Sequence, residues 1–421
     1  MKNINLLFAI ITILAISLNI SCSSEDDTVT TTIVPDCTIE DPGVDFKVSD
    51  SLQALCYNDA GDAITCPSSG NFSGQDAQYA TLTPSYAVCE SVVLDNNTGL
   101  MWEQEHHDTR LSYSDACTYC DELDLGGYTD WRIPSIRELF SINQANGNQN
   151  EDGAWYLEKT IFDLDYPTDI DLTGTHSLSM MGQTWSSTSR PDNTDINYFY
   201  NFLDGHIKSN FNNSPNATLF YRCVRGDATT FATTSYKDNG DETITDNNTG
   251  IIWQKANGMQ SAGDYQYTWV EALDYCESLE LAGETDWKLP DINELQSIVN
   301  YEISTADYNS THKMIDSIFT FTLPSGKNLT DNPTTSPPDG NAIAPFFWSG
   351  TTHGDAKSFA SYMCFGPCWA VEEFAGTGTF DAHGPGAQRA DPKSEPGVWP
   401  VSIGDQKDVV QVNNFVRCNR R

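Results

Sequence analysis

The feature that most constrains the fold is a tandem duplication. The segment from Val93 to Trp102 returns in nearly the same form from Ile244 to Trp253. Further motifs recur in the same order: ACTYCDELDL from Ala116 and ALDYCESLEL from Ala272, TDWRIP from Thr129 and TDWKLP from Thr285, Trp185-Ser186 and Trp348-Ser349, and Arg222-Cys223 and Arg417-Cys418. Because the order is kept and the spacing changes only through insertions, the sequence predicts two copies of one folding unit.

Each copy predicts a mixed α+β unit. Asp-Asn-Asn-Thr-Gly lies between apolar β-formers and predicts a tight hairpin turn, since Asn and Gly tolerate positive φ. Apolar residues at helical spacing predict a first helix over 114–123 and 270–279, and a second over 136–142 and 292–299. Short antiparallel strands that carry the shared Trp and Cys residues complete the unit.

Two cysteines of each copy have counterparts in the other. The chain contains twelve Cys, which indicates disulfides formed in an oxidising compartment. One shared Cys lies in the first helix and one in the last strand, so the repeat predicts the bridges Cys120–Cys223 and Cys276–Cys418. Closing loops of this length contributes roughly 4 to 5 kcal/mol in the chain-entropy model.

The remaining cysteines are specific to one part of the chain. The predicted local bridges are Cys364–Cys368 and Cys56–Cys66. Three further cysteines remain, Cys37, Cys89 and Cys117, with Cys37–Cys89 as one candidate pair. An odd number of cysteines follows Cys22, so at least one is free or bonds to another chain.

The N-terminus predicts export. Leu6 to Ile20 is an apolar run too short for a membrane span, which needs about twenty residues, but suited to a signal-peptide core. Cys22 follows at once and precedes Ser-Ser-Glu-Asp-Asp, which resembles a lipobox and a surface-export signal. We therefore expect residues 1–21 to be a signal peptide and a lipid on Cys22 to be the only membrane attachment. The alternative is a signal peptide cleaved near Ser21 without lipidation.

Composition excludes several classes of protein. The formal charge of −37 repels nucleic acid and other polyanions. A hydrophobic fraction of 39% is sufficient for real cores and excludes general disorder. Gly-rich phosphate loops, zinc-protease helices and nucleophile elbows are missing from the sequence, so no catalytic residues and no cofactor are predicted.

The segment from Tyr236 to Trp253 resembles the opening signature of a known family, the C-terminal domain of the Legionella collagen-like adhesin. The Tyr-Cys helix, the Asp-Trp-Arg/Lys-x-Pro segment, Trp-Ser and the closing Arg-Cys fit the family pattern in both copies. The resemblance implies a C-type-lectin-like fold and a role in adhesion, with sulfated glycans as the ligands of the founding member. This chain lacks a collagen-like segment, and its negative charge argues against a sulfated ligand.

The N-terminal sequence and the resemblance together divide the chain into four parts. Residues 1–21 are expected to be the signal peptide, and residues 22–75 an acidic tether with a small Cys-containing region. Two disulfide-pinned lectin-like domains follow over 76–226 and 227–421. Each is expected to contain two helices and short antiparallel strands.

Two groups of residues are candidate sites. Asp238 and Asp241 belong to an Asp-Asn-Gly-Asp run that could bind calcium, although a solvated hairpin turn explains it better. An insertion over 353–399 of the second copy is the least shared segment, and long loops on a rigid scaffold often bind ligands. Its ligand-binding candidates are Trp369, His383 and Trp399.

The sequence thus predicts a lipid-anchored protein of the outer membrane or cell surface that faces the exterior. Its first hypothesis for function is adhesion or glycan binding, with an extracellular glycan or a ligand on a host or neighbouring cell as partner. The alternative is a structural component of the envelope without a small ligand, and an enzyme is the least favoured interpretation. The sequence specifies no oligomeric state.

Overall fold

A short segment of little regular structure precedes the first repeat. The computed structural model describes residues 46–107, 109–149, 154–164, 182–260, 263, 265–304, 314–327, 343–371, 379–394, 402–403 and 408–421. Strands β1 (Cys56–Tyr57) and β2 (Ala63–Ile64) pair antiparallel, and a one-turn 3-10 helix covers Asp76–Gln78. We call residues 46–79 the N-terminal segment.

The first repeat contains two helices and three small antiparallel sheets. Its elements are β3 (Tyr86–Cys89), β4 (Val92–Asp95), β5 (Met101–Glu103), β6 (Leu111–Ser112), α1 (Tyr113–Glu122), α2 (Ile136–Ser141), β7 (Gln183–Ser189), β8 (Ile196–Asn201), β9 (His206–Phe211), β10 (Thr218–Leu219) and β11 (Val224–Arg225). The sheets have the strand orders β11-β5-β4-β3, β7-β8-β9 and β10-β6. A single helical turn, α3 (Thr229–Ala232), leads to the second repeat.

The second repeat has the same framework with one added sheet. Its elements are β12 (Tyr236–Asp238), β13 (Thr243–Asp246), β14 (Ile252–Gln254), α4 (Trp269–Glu277), α5 (Ile292–Ser297), β15 (Phe346–Thr352), β16 (Phe359–Cys364), β17 (Trp369–Val371), β18 (Thr379–Asp381), β19 (Gln388–Pro392), β20 (Ser402–Ile403), β21 (Asp408–Val409) and β22 (Asn419–Arg420). Sheets β12-β13-β14-β22 and β15-β16-β19 match those of the first repeat, and β18-β17-β21-β20 is added. The predicted α+β class is confirmed.

The hairpin turns form as their sequence predicts. Asp95 accepts hydrogen bonds from the Asn97 backbone N–H at 2.9 Å and from the Thr98 hydroxyl at 2.7 Å, and Asp246 accepts the equivalent pair. The glycine that ends each turn has φ +73°, a conformation that side chains with a Cβ rarely adopt. The identical motif therefore produces the identical turn in both copies.

The second helix of each repeat is fixed at its start by a capping box. Ser135 accepts a hydrogen bond from the Glu138 backbone N–H and Asp291 accepts one from that of Glu294, while each Glu side chain bonds back to the cap. Glu138 and Glu294 are both buried, and each also pairs with a cation from the preceding Asp-Trp-Arg/Lys segment. The cap thus places an ion pair with a buried glutamate, Arg132–Glu138 or Lys288–Glu294, at the same point of each repeat.

Disulfides join the first helix of each repeat to its last strands. The structure contains Cys120–Cys223 and Cys276–Cys418, the pairs that the repeat predicts, with Cα–Cα distances of 5.6 and 5.5 Å. The local bridges Cys364–Cys368 and Cys56–Cys66 are also present. Cys89 is disulfide-bonded as well, and Cys117 is free. Cys22 and Cys37 lie outside the described residues.

The two repeats share a hydrophobic cluster, in addition to a cluster within each repeat. A single cluster contains Trp102 and Leu139 of the first copy together with Trp253 and Leu295 of the second. Helices α2 and α5, which occupy equivalent positions, pack against each other. Side chains of both repeats therefore stabilise the same interior.

Polar contacts between the repeats are reciprocal. Arg137 donates to the Val299 carbonyl, and Asn143 donates to Asn293 at 2.8 Å. Arg137 and Asn293 occupy equivalent positions, as do Asn143 and Val299, so the two contacts are exchanged by an approximate two-fold axis. In the described part of the chain, no helix has the length and apolarity needed to cross a membrane.

Candidate binding groove

An open groove of about 750 Å³ lies in the first repeat. Helix α1, the Arg132–Glu138 region and strand β7 form three of its sides, and residues 301–304 of the second repeat close the fourth. The side chains that line it include Tyr113, Cys117, Asp121, Arg132, Ser187 and Thr188. We call this cavity the open groove.

The equivalent groove of the second repeat is filled by the N-terminal segment. Asp76 is buried there, and its carboxylate accepts hydrogen bonds from the Ser51 hydroxyl at 2.6 Å and the Thr351 hydroxyl at 2.5 Å. Thr351 is the counterpart of Thr188, since their hydroxyls accept from the backbone N–H of Ile292 and Ile136 respectively. We call this region the filled groove.

Further contacts of the N-terminal segment follow the same outline. The Gln53 side-chain amide bonds to both the backbone N–H and the carbonyl of Thr352, the counterpart of Ser189. Glu277, the counterpart of Asp121, accepts from the Ser73 hydroxyl at 3.3 Å and from the Tyr79 hydroxyl. The filled groove is therefore occupied at the positions that line the open groove.

Exposure differs accordingly between the two grooves. Five residues that line the filled groove are buried, whereas their counterparts in the open groove are half-buried or exposed. The pairs, with the filled groove first, are Trp269 and Tyr113, Leu273 and Cys117, Gly350 and Ser187, Thr351 and Thr188, and Thr352 and Ser189. The Arg132 side chain is 27% exposed and that of its counterpart Lys288 is 8% exposed. Residues that the N-terminal segment covers in one repeat thus face solvent in the other.

An ion pair to a buried glutamate supports one side of each groove. Arg132 donates two hydrogen bonds to Glu138, at 2.8 and 2.5 Å, and Lys288 pairs with Glu294. Burial raises the pKa of Asp76 to about 6, and desolvation together with the nearby Glu294 and Asp76 raises that of Asp291. Ser135 replaces Asp291 in the first repeat, so the open groove has one buried carboxyl fewer.

The free thiol of Cys117 lies on the wall of the open groove. It is half-buried, and burial raises its pKa. Tyr113 lies beside it, and burial followed by the influence of Cys117 raises the pKa of Tyr113 to about 12. Both groups are therefore neutral at physiological pH and present a weakly polar surface.

Comparison with known families identifies the repeat. The family model for the Lcl C-terminal domain matches residues 91–225 and again residues 242–401, which together are more than half of the chain. This chain belongs to the Lcl C-terminal domain family. The resemblance drawn from the sequence is thereby confirmed in both copies, and membership indicates an adhesin-like surface protein. No curated protein and no solved structure matches the chain.

The ligand candidates of the second Lcl C-terminal domain are not gathered at a surface. Trp369 is 2% exposed and packs in a core cluster with the Cys364–Cys368 bridge, and His383 is 1% exposed. Trp399 lies outside the described residues. The segment over 353–399, which the sequence predicts to be a long inserted loop, also contains the strands β16 and β19 that both repeats share as framework. Neither Trp369 nor His383 presents a face to a ligand.

His383 belongs instead to a buried polar cluster between the two Lcl C-terminal domains. Its Nε2 lies 2.5 Å from Asp408, which also pairs with Arg389, and the rings of His206 and His353 are 4.8 Å apart. Burial lowers the pKa of His206 and of His383 to about 4, so both are neutral at physiological pH. The cluster stabilises the contact between the domains.

The calcium candidates are engaged locally. Asp238 accepts from Lys255 at 2.6 Å and from the Gly240 backbone N–H at 3.0 Å, while Asp241 accepts from Thr243. These contacts are those of a hairpin turn between β12 and β13. Within the described ranges, no three His, Cys, Asp or Glu side chains are grouped so as to hold a metal ion.

The open groove was not predicted from the sequence. The predicted ligand site lies in the segment that differs in length between the copies, whereas the groove residues occupy aligned positions. The signal was present in the aligned pairs Ser135 and Asp291, Ser187 and Gly350, and Cys117 and Leu273. These pairs differ in charge, size or polarity although the surrounding framework is shared.

Proposed function

We propose that the protein is a lipid-anchored surface adhesin that binds an extracellular ligand in the open groove of its first repeat. Membership of an adhesin-like family and the exported, lipobox-like N-terminus support the location. The observation that carries the site is the difference between the grooves, because in the part of the chain that the structure describes one groove of the duplicated pair is filled and the other is open. The paired helices beside short sheets support a lectin-like scaffold.

The open groove has the properties expected of a binding site. Its volume of about 750 Å³ lies within the usual range for ligand pockets, roughly 300 to 1,000 Å³. Its wall combines an aromatic ring, a thiol, hydroxyls and a supported guanidinium. Elements of both repeats form the wall, and the ion pair of Arg132 with the buried Glu138 holds one side in place.

Cell attachment tests the groove as the adhesive site. Cells that display the wild-type protein should bind an extracellular-matrix or host-cell surface, and Ser187→Trp should abolish binding because the exposed side chain projects into the groove. Glu280→Trp, an equally bulky change at an exposed position of the second repeat, is the control and should bind normally. Attachment that persists in Ser187→Trp, with normal display, would place adhesion elsewhere. Absence of attachment by the wild type would favour a structural role in the envelope.

Intact mass spectrometry tests the anchor. The protein from the native membrane should carry a diacyl mass on Cys22, and Cys22→Ala should release the chain into the medium or periplasm. Surface proteolysis of whole cells then separates an exterior location from a periplasmic one. An unlipidated N-terminus would contradict the anchoring part of the proposal and leave the groove to be tested separately.

A further inference from the structure

The filled groove is an internal example of what such a groove can bind. Its occupant is a stretch of polypeptide whose contacts include one carboxylate, one aromatic side chain and one amide. Asp76 is held by the Thr351 and Ser51 hydroxyls, and its charge is stabilised by Lys288. Phe72, four residues earlier, packs against the core cluster that contains Trp269 and Leu273.

The open groove retains a hydroxyl and a cation at the positions that hold the carboxylate, while Ser51 belongs to the occupant itself. Thr188 has the same backbone contact as Thr351, so its hydroxyl is oriented in the same way. Arg132 stands in place of Lys288 and is more exposed. Ser135 replaces Asp291, whose pKa is raised in part by Asp76, so a carboxylate in the open groove would not meet that neighbouring carboxyl. An anion at this position would therefore meet the guanidinium of Arg132 and the hydroxyl of Thr188, on a wall that also includes Asp121 and Glu302.

The open groove also retains an apolar wall. Tyr113 and Cys117 replace Trp269 and Leu273, two members of the core cluster against which Phe72 packs. Both are half-buried and neutral, so a hydrophobic side chain can cover them without desolvating a charge. In the filled groove the apolar group and the carboxylate come from Phe72 and Asp76, four residues apart, and this spacing is taken for the occupant of the open groove.

One substitution disfavours the N-terminal segment of a second copy as the occupant. A Cβ at Gly350 would lie 3.2 Å from the Asp76 backbone nitrogen and 3.3 Å from the Leu289 carbonyl oxygen, which is tighter than ordinary contact. The counterpart of Gly350 is Ser187, which carries a Cβ and a hydroxyl. The backbone around Asp76 therefore fits the filled groove closely and would have to shift in the open one.

We propose that the open groove binds a peptide segment of a partner protein in which an apolar residue is followed, four residues later and across a turn, by Asp or Glu, as Phe72 is followed by Asp76 in the filled groove. The carboxylate accepts hydrogen bonds from the Thr188 hydroxyl and lies beside Arg132, and the apolar side chain covers Tyr113 and Cys117. This inference rests on the proposed function, because it names the ligand class of the same groove.

Selection of peptides on the full-length protein tests the inference. A library of random peptides should enrich sequences that share an acidic residue, and replacing that residue by its amide should weaken binding about tenfold, as expected for loss of a charge-assisted hydrogen bond. Thr188→Val should weaken binding similarly and Thr188→Ser should restore it. Thr351→Val changes the same position of the filled groove and should leave peptide affinity unchanged.

The thiol of Cys117 reports where the peptide binds. Maleimide labelling of Cys117, mapped by peptide mass spectrometry with Cys117→Ser as the blank, should slow when the enriched peptide is bound. Failure to enrich peptides, enrichment without an acidic residue, or binding that leaves Cys117 labelling unchanged would overturn the inference. A glycan from an array that protects Cys117, with no peptide doing so, would support the proposed function and overturn the peptide. Normal cell attachment by Ser187→Trp would overturn both.

Discussion

The filled groove and the open groove have the same framework and different surfaces. Both have a capped second helix and an ion pair to the buried glutamate of that helix. Both also have a threonine hydroxyl at the same place, Thr188 of β7 in the first repeat and Thr351 of β15 in the second. In the second repeat these groups are internal, since Asp76 and Ser51 complete their hydrogen bonds. In the first repeat they face solvent. The comparison indicates that duplication produced two equivalent cavities, and that, among the described residues, a segment of the chain occupies one of them.

The difference also explains why the second groove resembles a core. Lys288 is buried there among Glu294, Asp291 and Asp76, a group that would be costly without mutual pairing. Arg132 makes the same ion pair while remaining partly exposed. The same ion pair is thus interior in the second repeat, as Lys288–Glu294, and lies partly at the surface in the first, as Arg132–Glu138.

The largest expected effect tests whether the two frameworks are equivalent. The bridges Cys120–Cys223 and Cys276–Cys418 close loops with sequence separations of 103 and 142. Because loop length enters as a logarithm, replacing either pair by Ser should lower the free energy of unfolding by about 5 kcal/mol. Urea denaturation of the two double variants should give nearly equal losses. A difference of about twofold would show that one repeat depends on its bridge far more than the other.

Asp76 should give the filled groove a pH dependence that the open groove lacks. Burial raises the pKa of Asp76 to about 6, so the folded state retains a proton that the unfolded chain loses near pH 4. The resulting stabilisation is complete below about pH 4 and is lost as the pH rises through 6. Relative to Asp76→Asn, the wild type should therefore lose up to about 3 kcal/mol of unfolding free energy between pH 4 and 7. Parallel profiles for the two proteins would contradict this account of Asp76.

A matched pair of threonine variants measures the contribution of the N-terminal segment. Thr351 accepts from the Ile292 backbone and donates to Asp76, whereas the hydroxyl of Thr188 accepts from the Ile136 backbone and faces the open groove. Thr351→Val should cost about 2 kcal/mol and Thr188→Val about 1 kcal/mol, since a buried hydrogen bond contributes roughly that much. Thermal unfolding of both variants, with the Ser substitutions as controls, gives the comparison. Equal losses would mean that the Asp76 contact adds no stability.

Local features of the fold could be predicted from the sequence. The hairpin turns depend on Asp-Asn-Asn-Thr-Gly, and the predicted helices begin and end within about two residues of α1, α2, α4 and α5. The bridges Cys120–Cys223 and Cys276–Cys418 follow from their presence in both copies. Each of these features is determined by residues that are neighbours in sequence or by the duplication itself.

The open groove could not be predicted in the same way. It is defined by what fills its counterpart, and Asp76 is separated from Thr351 by 275 positions. No periodicity or motif within residues 46–79 indicates where that segment packs. The buried cluster around His383 could not be predicted for the same reason. Asp204 of the first repeat meets His353 and Arg389 of the second only when the two repeats associate. Such contacts depend on the arrangement of the repeats and leave no local pattern.

The smallest expected effect tests whether the two frameworks remain alike where no groove is involved. Arg225 bonds to Asp130 and Arg420 bonds to Asp286, each at 2.6 Å, and the carboxylates are 62% and 57% exposed. Asp130→Asn and Asp286→Asn should each change the unfolding free energy by less than about 1 kcal/mol, and added salt should reduce the change.

Within that range Asp286→Asn should be the milder change, because Arg420 also lies 3.2 Å from Glu284 and keeps a partner. Arg225 retains its position over the Tyr128 ring, at 3.7 Å from the centroid. Chemical denaturation at low and high salt measures both variants. If either variant lost as much stability as Thr351→Val, exposed ion pairs would distinguish the repeats as strongly as the groove does, and the N-terminal segment would no longer be their main difference.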